Sequence, residues 1–508
     1  MDNAAKLLKN TLLIASGSII LRLCALFFQA YLAAQAGAGQ LGFYGIISSV
    51  GVVFATIAIS GVRFAVTRLA SQQCSLGNSY PHSLMRCAFF YGLMFGVLSG
   101  GVMYFASDAL SRYWVMETSA AMPLRIISAS MPFISIGAVI EGYFTAKQKV
   151  FRLVMSGISS QLIRICFVVI CFASFDKENV MGILSAGSFA GEVSLSLILL
   201  ILYFFESFGK KEKCKSRKNL SALAKTALPL AVSAYMRTGL SSLGQIIIPR
   251  GLRKSGMGAD AAFVTYGIIG QMAFPVIMFP AALLNALGDI LVPRLTGAQT
   301  NGKKIGIAHI VNRALRIGII FSFGVMGMMF FYSDSLGECF YKSAEAGKYI
   351  RIFAPLIPII YIDCVTDGCL KGLGQQVHSM VYNVLEGIIN VTLLFLLLPT
   401  MAIRGYIAVM YIKEVFNAVL SIRRLSMVTC VDKNIAVFIS VTAAAYLSYL
   451  FSGIVAPLAH LWTAISLYAL FYIILLYVLN TVTREDLKWI VSLFRLNEEK
   501  TKKSAYRC

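Results

Sequence analysis

The chain has 508 residues, 58% of them hydrophobic and only 13% charged. That composition excludes a water-soluble globular fold, which could not cover so much apolar surface. The net charge of +22 would suit a nucleic-acid partner, but its distribution along the chain points to a membrane instead.

Apolar runs long enough to cross hydrocarbon, about 20 residues each, occur in chain order at 11–34, 43–66, 84–106, 121–142, 150–173 and 180–205. They resume at 222–248, 262–288, 307–332, 348–370, 377–399, 402–422, 434–455 and 459–481. The pattern predicts an all-α integral membrane protein with about 14 transmembrane helices. The first run is too long for a signal-peptide core and lacks a small-residue cleavage site, so it reads as a retained helix. Lysine and arginine crowd the segments that are cytoplasmic if the N-terminus is inside: Lys6 and Lys9, Lys147 to Arg152, the run at 210–218, Arg294 to Arg316, Arg423-Arg424 and the tail from Arg484. The opposite loops hold far fewer, among them Arg112, Arg250 and Arg404. That asymmetry places both termini in the cytoplasm and makes the run at 210–218 a topology anchor rather than a nucleic-acid patch.

The chain repeats itself. Thr11, Ser18 and Arg22 recur 215 positions later as Thr226, Ser233 and Arg237. Spacings of seven and four keep each set on one helical face. Thr67-Arg68-Leu69 matches Pro293-Arg294-Leu295 at an offset of 226, and Pro132 with Glu141-Gly142 matches Pro358 with Asp367-Gly368 at the same offset. The repeat predicts two six-helix bundles, 1–220 and 221–425, related by a pseudo-twofold axis along the membrane normal. Residues 426–508 add two helices and a basic cytoplasmic tail. Pro275, Pro280, Pro355 and Pro358 mark bends, either hinges or static kinks.

Most familiar motifs drop out on context. Gly37-Ala-Gly39-Gln-Leu-Gly42 fits G-x-G-x-x-G, but no strand precedes it, and a tight helix–helix turn explains it better than a dinucleotide site. No phosphate-binding P-loop exists in the chain. The four histidines are far apart and the eleven cysteines scattered, so no metal, cofactor or disulfide is expected. No nucleophile elbow with a Ser/His/Asp set is visible and the outer loops are short, which disfavours an enzyme.

The intramembrane charges carry the functional signal. An arginine at the bilayer centre costs roughly 2.5–3.5 kcal/mol on insertion scales, yet Arg22 and Arg237 occupy matched mid-span positions with no acid one turn away. A guanidinium in a water-filled cavity suits an anionic ligand, and its fork matches phosphate oxygens. Arg22, Arg237, Gln29, Ser18, Ser233 and Thr11 are therefore the candidate substrate-binding residues. Arg63, Glu141, Asp289 and Asp367 are candidates for gating or coupling. For Arg164, Glu192, Lys413 and Glu414, pairing between neighbouring helices is the simpler expectation.

The stretch Tyr266 to Gly297, YGIIGQMAFPVIMFPAALLNALGDILVPRLTG, resembles helix eight and its exit in the MOP superfamily of flippases, and the loop GAGQLGFYG and the exit RFAVTRLA fit the same family. The likeness covers roughly residues 5–425 and is greatest to the polysaccharide-export and stage V sporulation protein B branch, then to the lipid II flippases. It implies alternating access for a polyprenyl-pyrophosphate-linked oligosaccharide or peptidoglycan precursor at the bacterial plasma membrane, with membrane lipids and cell-envelope biosynthesis proteins as partners and no nucleic acid. Arg22 falls where lipid II flippases place a helix-one arginine. Where they carry a further arginine and an acid, this chain has Phe28 and Gln29, and their helix-eight arginine has no counterpart near Gly267. The resemblance implies a lipid-tail groove along 434–481. The alternatives are a cation-coupled multidrug antiporter of the MATE branch, and a scaffold for envelope assembly.

Overall fold

The structure, a computed structural model, describes residues 2–75, 81–174, 179–207, 219–300, 302, 304–432, 435–455, 461–482, 486 and 489. The Thr11 side chain, the run at 210–218, His460 and the basic residues of the tail lie outside the described residues. Among the described residues every regular element is helical. In order these are α1 (Asp2–Ile59), α2 (Val62–Ser75), α3 (His82–Leu110), α4 (Ala121–Ser128), α5 (Met131–Ala146), α6 (Val150–Ser174), α7 (Val180–Ser207), α8 (Asn219–Lys254), α9 (Ala259–Tyr266), α10 (Phe274–Met278), α11 (Ala281–Thr300), α12 (Lys304–Phe331), α13 (Ser333–Tyr341), α14 (Ala344–Phe353), α15 (Ile357–Gly372), α16 (Gln376–Val428), α17 (Ile435–Val455) and α18 (Leu461–Val478).

Nine described helices are long and apolar enough to cross a membrane, or ten if the pair 118–128 and 131–146, bent by 41°, is one crossing. The protein is thus an all-helical, multi-pass membrane protein. Two of those helices exceed any single crossing. α1 has 58 residues and α16 has 53, so at 1.5 Å per residue each would measure about 80 Å or more against a hydrocarbon core of about 30 Å. Each contains a break: Gly37 at φ 76, ψ 166 and Ala402 at φ 49, ψ −127. Each is therefore two helices joined at one residue, as the sequence pattern suggested. Elsewhere the structure interrupts a span that looked continuous. Pro132 starts α5 just after the 41° bend, a helical position where its missing N–H costs nothing. The span expected at 262–288 is α9, a π-helical segment Gly267–Ala273, α10 and the start of α11.

The chain divides into two compact units, one of Ser16–Met272 with Gly387–Val409, the other of Met1–Ala15, Ala273–Glu386 and Met410–Cys508. Burying apolar side chains drives little association when the solvent is lipid, whereas small residues that let helices approach do. Both units use this device at equivalent places. In the first, a Cβ on Gly92 would stand 3.1 Å from Val139 Cγ2, and one on Gly142 would stand 2.6 Å from Arg63 O. In the second, 226 positions on, a Cβ on Gly318 would stand 3.1 Å from Val365 Cγ2, and one on Gly368 2.6 Å from Gly288 Cα. A polar clasp repeats at the same offset. Arg125 Nε donates to Ser107 Oγ (2.9 Å) and its Nη2 to Asp108 (2.7 Å), while Arg351 Nε donates to Ser333 Oγ (2.9 Å) and its Nη2 to Asp334 (2.5 Å).

Each unit also has a fastening of its own. In the first, the buried Glu206 carboxylate at the end of α7 meets Lys147 (3.0 Å), Lys149 (2.8 Å) and Arg152. That cluster holds the first turn of α6 against α7. In the second, Gly324 and Gly327 on α12 open a seat for the rings of Tyr472 and Tyr468. Their hydroxyls donate to Ile320 O (2.8 Å) and Gly324 O (3.1 Å), tying α18 to α12.

Two outcomes follow. Glu206→Ala leaves three cations without their shared anion, and breaking a buried pair costs about 3–5 kcal/mol. Arg125→Ala removes a largely exposed pair worth about 0.2–1 kcal/mol. The melting temperature of the detergent-solubilised protein should therefore fall far more for the first variant; equal shifts would refute the role given to the Glu206 cluster. Gly327→Leu drives a side chain into the Tyr468 hydroxyl, and overpacking costs about 1–3 kcal/mol. It should lower the melting temperature, while Gly453→Ala, where a Cβ meets nothing within 4 Å, should not.

Candidate functional site

A cavity of about 480 Å³ lies within the Ser16–Met272 unit. Its walls come from both limbs of α1, from α6 and α8, and from the π-helical segment at 267–273. The break at Gly37 makes the α1 contribution possible, because Gln29 on the first limb and Tyr44 and Gly45 on the second line the same space. Glycine alone takes φ 76 without a steric penalty. Gly42 and Gly267 pack α1 against the π segment, and a Cβ on Gly42 would stand 2.8 Å from Gly267 N. The G-x-G-x-x-G run is thus a helix break followed by a close helix contact.

α6 and α8 present their polar residues by helical spacing. Gln161 and Arg164 are three apart on α6, and Arg237, Ser241 and Gln245 are four apart on α8, so each set shares a face. Ser242 Oγ donates to Ser49 O (2.9 Å), which pins α8 to the second limb of α1. Gln271 sits in the π segment, where an extra residue per turn re-aims side chains at functional sites. Gln29 Nε2 donates to Gln271 Oε1 (3.2 Å), and Tyr266 Oη donates to Gln245 Oε1 (3.2 Å).

Arg164 is held from several sides. Its Nη2 donates to Tyr44 Oη (3.3 Å), which also lies 2.5 Å from Ser188 Oγ. Its guanidinium rests 5.8 Å from the Phe28 ring centroid, and its stem packs over Gly191. Its Nε is buried with no hydrogen-bond partner. No carboxylate lines the cavity among the described residues, so its two guanidiniums, Arg164 and Arg237, make it a basic, amide-rich chamber. Glu192 is close enough to interact electrostatically with Arg164, but the two do not form the ion pair expected from the sequence.

Two of the expected binding residues, Arg237 and Gln29, meet here. Arg22 and Ser18 are exposed and do not line this cavity, and Ser233 Oγ donates to Leu230 O of its own helix (2.9 Å). Arg164, Gln161, Gln245 and Gln271 were not anticipated. Their signal was present as polar residues inside apolar spans, but only the fold aligns four separate helical segments on one space. The expected pairing of Lys413 does occur, with Glu414 (2.6 Å) and also with Glu386 (3.1 Å).

The four gating candidates fall into repeat-related pairs, Arg63 with Asp289 and Glu141 with Asp367, each 226 apart. In one unit Arg63 and Glu141 form an ion pair at 3.2 Å. In the other, an acid replaces the arginine and Lys371 supplies the cation, 3.1 Å from Asp367 and within electrostatic range of Asp289. Ser379 also donates to Asp367. The position is kept and the charge pattern is rewritten.

Comparison with known proteins agrees with this architecture. A family model described as polysaccharide biosynthesis protein matches residues 7–283, and one described as MatE matches residues 255–396. Stage V sporulation protein B of Bacillus subtilis (strain 168) is 23% identical, over 96% of this chain and 98% of its own length. Lipid II flippase MurJ of the same organism is 20% identical, over 83% of each chain. A solved structure of lipid II flippase MurJ in an inward closed conformation shares the fold, with a TM-score of 0.69 at 12% identity, over 91% of this chain and 98% of that one. The chain belongs to the polysaccharide biosynthesis protein family of the MOP superfamily, which comprises membrane transporters and not enzymes.

Proposed function

We propose that the protein is a flippase that moves a polyprenyl-pyrophosphate-linked oligosaccharide or peptidoglycan precursor across the bacterial plasma membrane by alternating access. The observation that carries this reading is the pair Arg164 and Arg237 in a cavity whose described lining has no carboxylate. An anion is the ligand that such a wall stabilises, and charge-assisted contacts from guanidinium forks fit phosphate oxygens. The similarity to stage V sporulation protein B and to lipid II flippase MurJ supports a lipid-linked cargo and a role in cell-wall or spore-envelope assembly alongside other envelope proteins.

In this reading the chain forms two six-helix bundles, 1–220 and 221–425, followed by two further helices in 426–508. Fourteen crossings put both termini in the cytoplasm, in line with the positive-inside distribution of charge. The repeated glycine contacts and arginine clasps at an offset of 226 support the two-bundle arrangement. Arg237 and Arg164 hold the pyrophosphate, with Gln29 beside them. Arg22 lies seven residues before Gln29 on the same face of α1, about 10 Å along the helix, and with Ser18 and Ser233 lines the approach. The Arg63–Glu141 pair and the Asp289–Lys371–Asp367 set are the gating elements.

A cation-coupled multidrug antiporter is the second reading, favoured by the match of residues 255–396 to the MatE model. It would require a basic cavity to take cationic cargo, which charge repulsion opposes.

Loss of one charged contact costs about 1.5–3 kcal/mol, one to two orders of magnitude in affinity. Arg164→Ala and Arg237→Ala should each cut the transfer of a labelled lipid-diphosphate glycan in reconstituted vesicles by roughly that factor, with protein levels intact. Wild-type rates in both variants would reject the assignment. Resistance to cationic drugs conferred on a pump-deficient host would favour the antiporter.

A further inference from the structure

We infer that Gln29, Gln245 and Gln271, grouped around Tyr266, form a subsite for the first sugar of the cargo, and that this subsite selects an uncharged sugar. The inference rests on the reading of Arg164 and Arg237 as the diphosphate site. It adds to that reading which groups meet the neighbouring sugar and what charge the sugar carries.

The first argument is charge. A diphosphate esterified at both ends keeps one ionised oxygen on each phosphorus atom. Arg164 and Arg237 balance those charges, and no further charged side chain lines the cavity among the described residues. A carboxylate on the first sugar would have to be desolvated without a counter-ion, and an ammonium would face two guanidiniums; either is costly away from bulk water.

The second argument is the arrangement of the amides. Gln29 donates to Gln271 (3.2 Å), Tyr266 donates to Gln245 (3.2 Å), and the Gln271 amide and the Tyr266 ring both border Gly45. Tyr266 is itself buried, 4% exposed, so the dipoles are anchored in the protein. Such hydrogen-bonded dipoles polarise and order one another. The bonds engage one side of each carboxamide and leave Gln29 Oε1 as an acceptor and the amide N–H groups of Gln245 and Gln271 as donors. A hydroxyl both donates and accepts, and a carboxamide offers both functions without charge. A row of sugar hydroxyls is the neutral partner that matches this set.

The third argument is space. The backbone makes room for the row, because a Cβ on Gly45 would overlap the Gln271 amide and stand 3.3 Å from the Tyr266 ring. The volume of about 480 Å³ lies in the lower part of the range of about 300–1,000 Å³ typical of small-ligand sites. It suits a diphosphate with its first sugar rather than a long glycan.

The test uses the full-length protein in nanodiscs and three short-chain lipids of equal diphosphate charge: polyprenyl diphosphate capped as its methyl ester (the bare diphosphate), polyprenyl diphosphoglucose and polyprenyl diphosphoglucuronate. The glucose lipid should bind roughly tenfold more tightly than the bare diphosphate, as one or two added neutral hydrogen bonds provide, and the glucuronate lipid should show no such gain. In Gln271→Ala, and in Gly45→Val, which displaces Gln271 without removing a polar group, the ratio of glucose-lipid to bare-diphosphate affinity should fall to near one. A ratio near one in the wild type, or glucuronate bound as tightly as glucose, would overturn the subsite. Failure of the bare diphosphate to bind would overturn the diphosphate reading, and the subsite with it.

Discussion

A guanidinium inside a membrane domain needs a counter-ion or an ordered set of dipoles, and the chamber in the Ser16–Met272 unit lines its wall with dipoles while the acid within electrostatic range of Arg164, Glu192, stays outside that wall. Arg164 is held by the Tyr44 hydroxyl and the Phe28 ring, with no carboxylate in the chamber wall among the described residues. Pairing it with an acid would neutralise the field that an anionic ligand needs. Leaving it amid apolar side chains alone would cost several kcal/mol. Hydroxyls and carboxamides lie between these extremes. They solvate the cation partially and remain available to a ligand. The break at Gly37, the π segment around Gln271 and the glycines facing it all serve to bring such groups to one place.

The internal repeat separates what packing requires from what function changes. Glycine-to-valine contacts recur between α3 and α5 and again between α12 and α15, with the same 3.1 Å approach, and each unit carries an arginine clasp of the same composition. These contacts depend on backbone proximity, which substitutions in a packed interface rarely preserve. The charged sites at Arg63 and Asp289 show the opposite behaviour. Their positions match, yet one copy has an arginine and the other an acid served by Lys371. A duplicated scaffold with divergent charge gives each half its own electrostatic preference while helix packing stays the same.

Much of this was legible in the chain itself. The apolar runs, the distribution of lysine and arginine and the offset of 226 came from hydropathy and counting, since a bilayer imposes span length and the repeat keeps its spacing. Arg237 and Gln29 were identified because a charge or amide in an apolar span stands out. The interruptions at Gly37 and Ala402 fall where the apolar runs stop, at 34–43 and 399–402, and were legible; the bend before Pro132, inside the run 121–142, was not. Hydropathy averages over many residues, whereas a break depends on one dihedral angle.

The sequence by itself determined the solvent the protein lives in, the helical class and the duplication, because each follows from local composition and periodicity. Which polar groups share a chamber was decided only by the tertiary structure. Arg22 and Arg237 look equivalent along the chain, but Arg237 lines the cavity and Arg22 does not, while Arg164, read as a paired residue, takes a place beside it. Tyr266, Gln245 and Gln271 join Gln29 across hundreds of positions through a glycine break and a π-helical turn. Helical periodicity specifies the face a residue occupies, but the neighbour that face meets depends on the packing of the other helices.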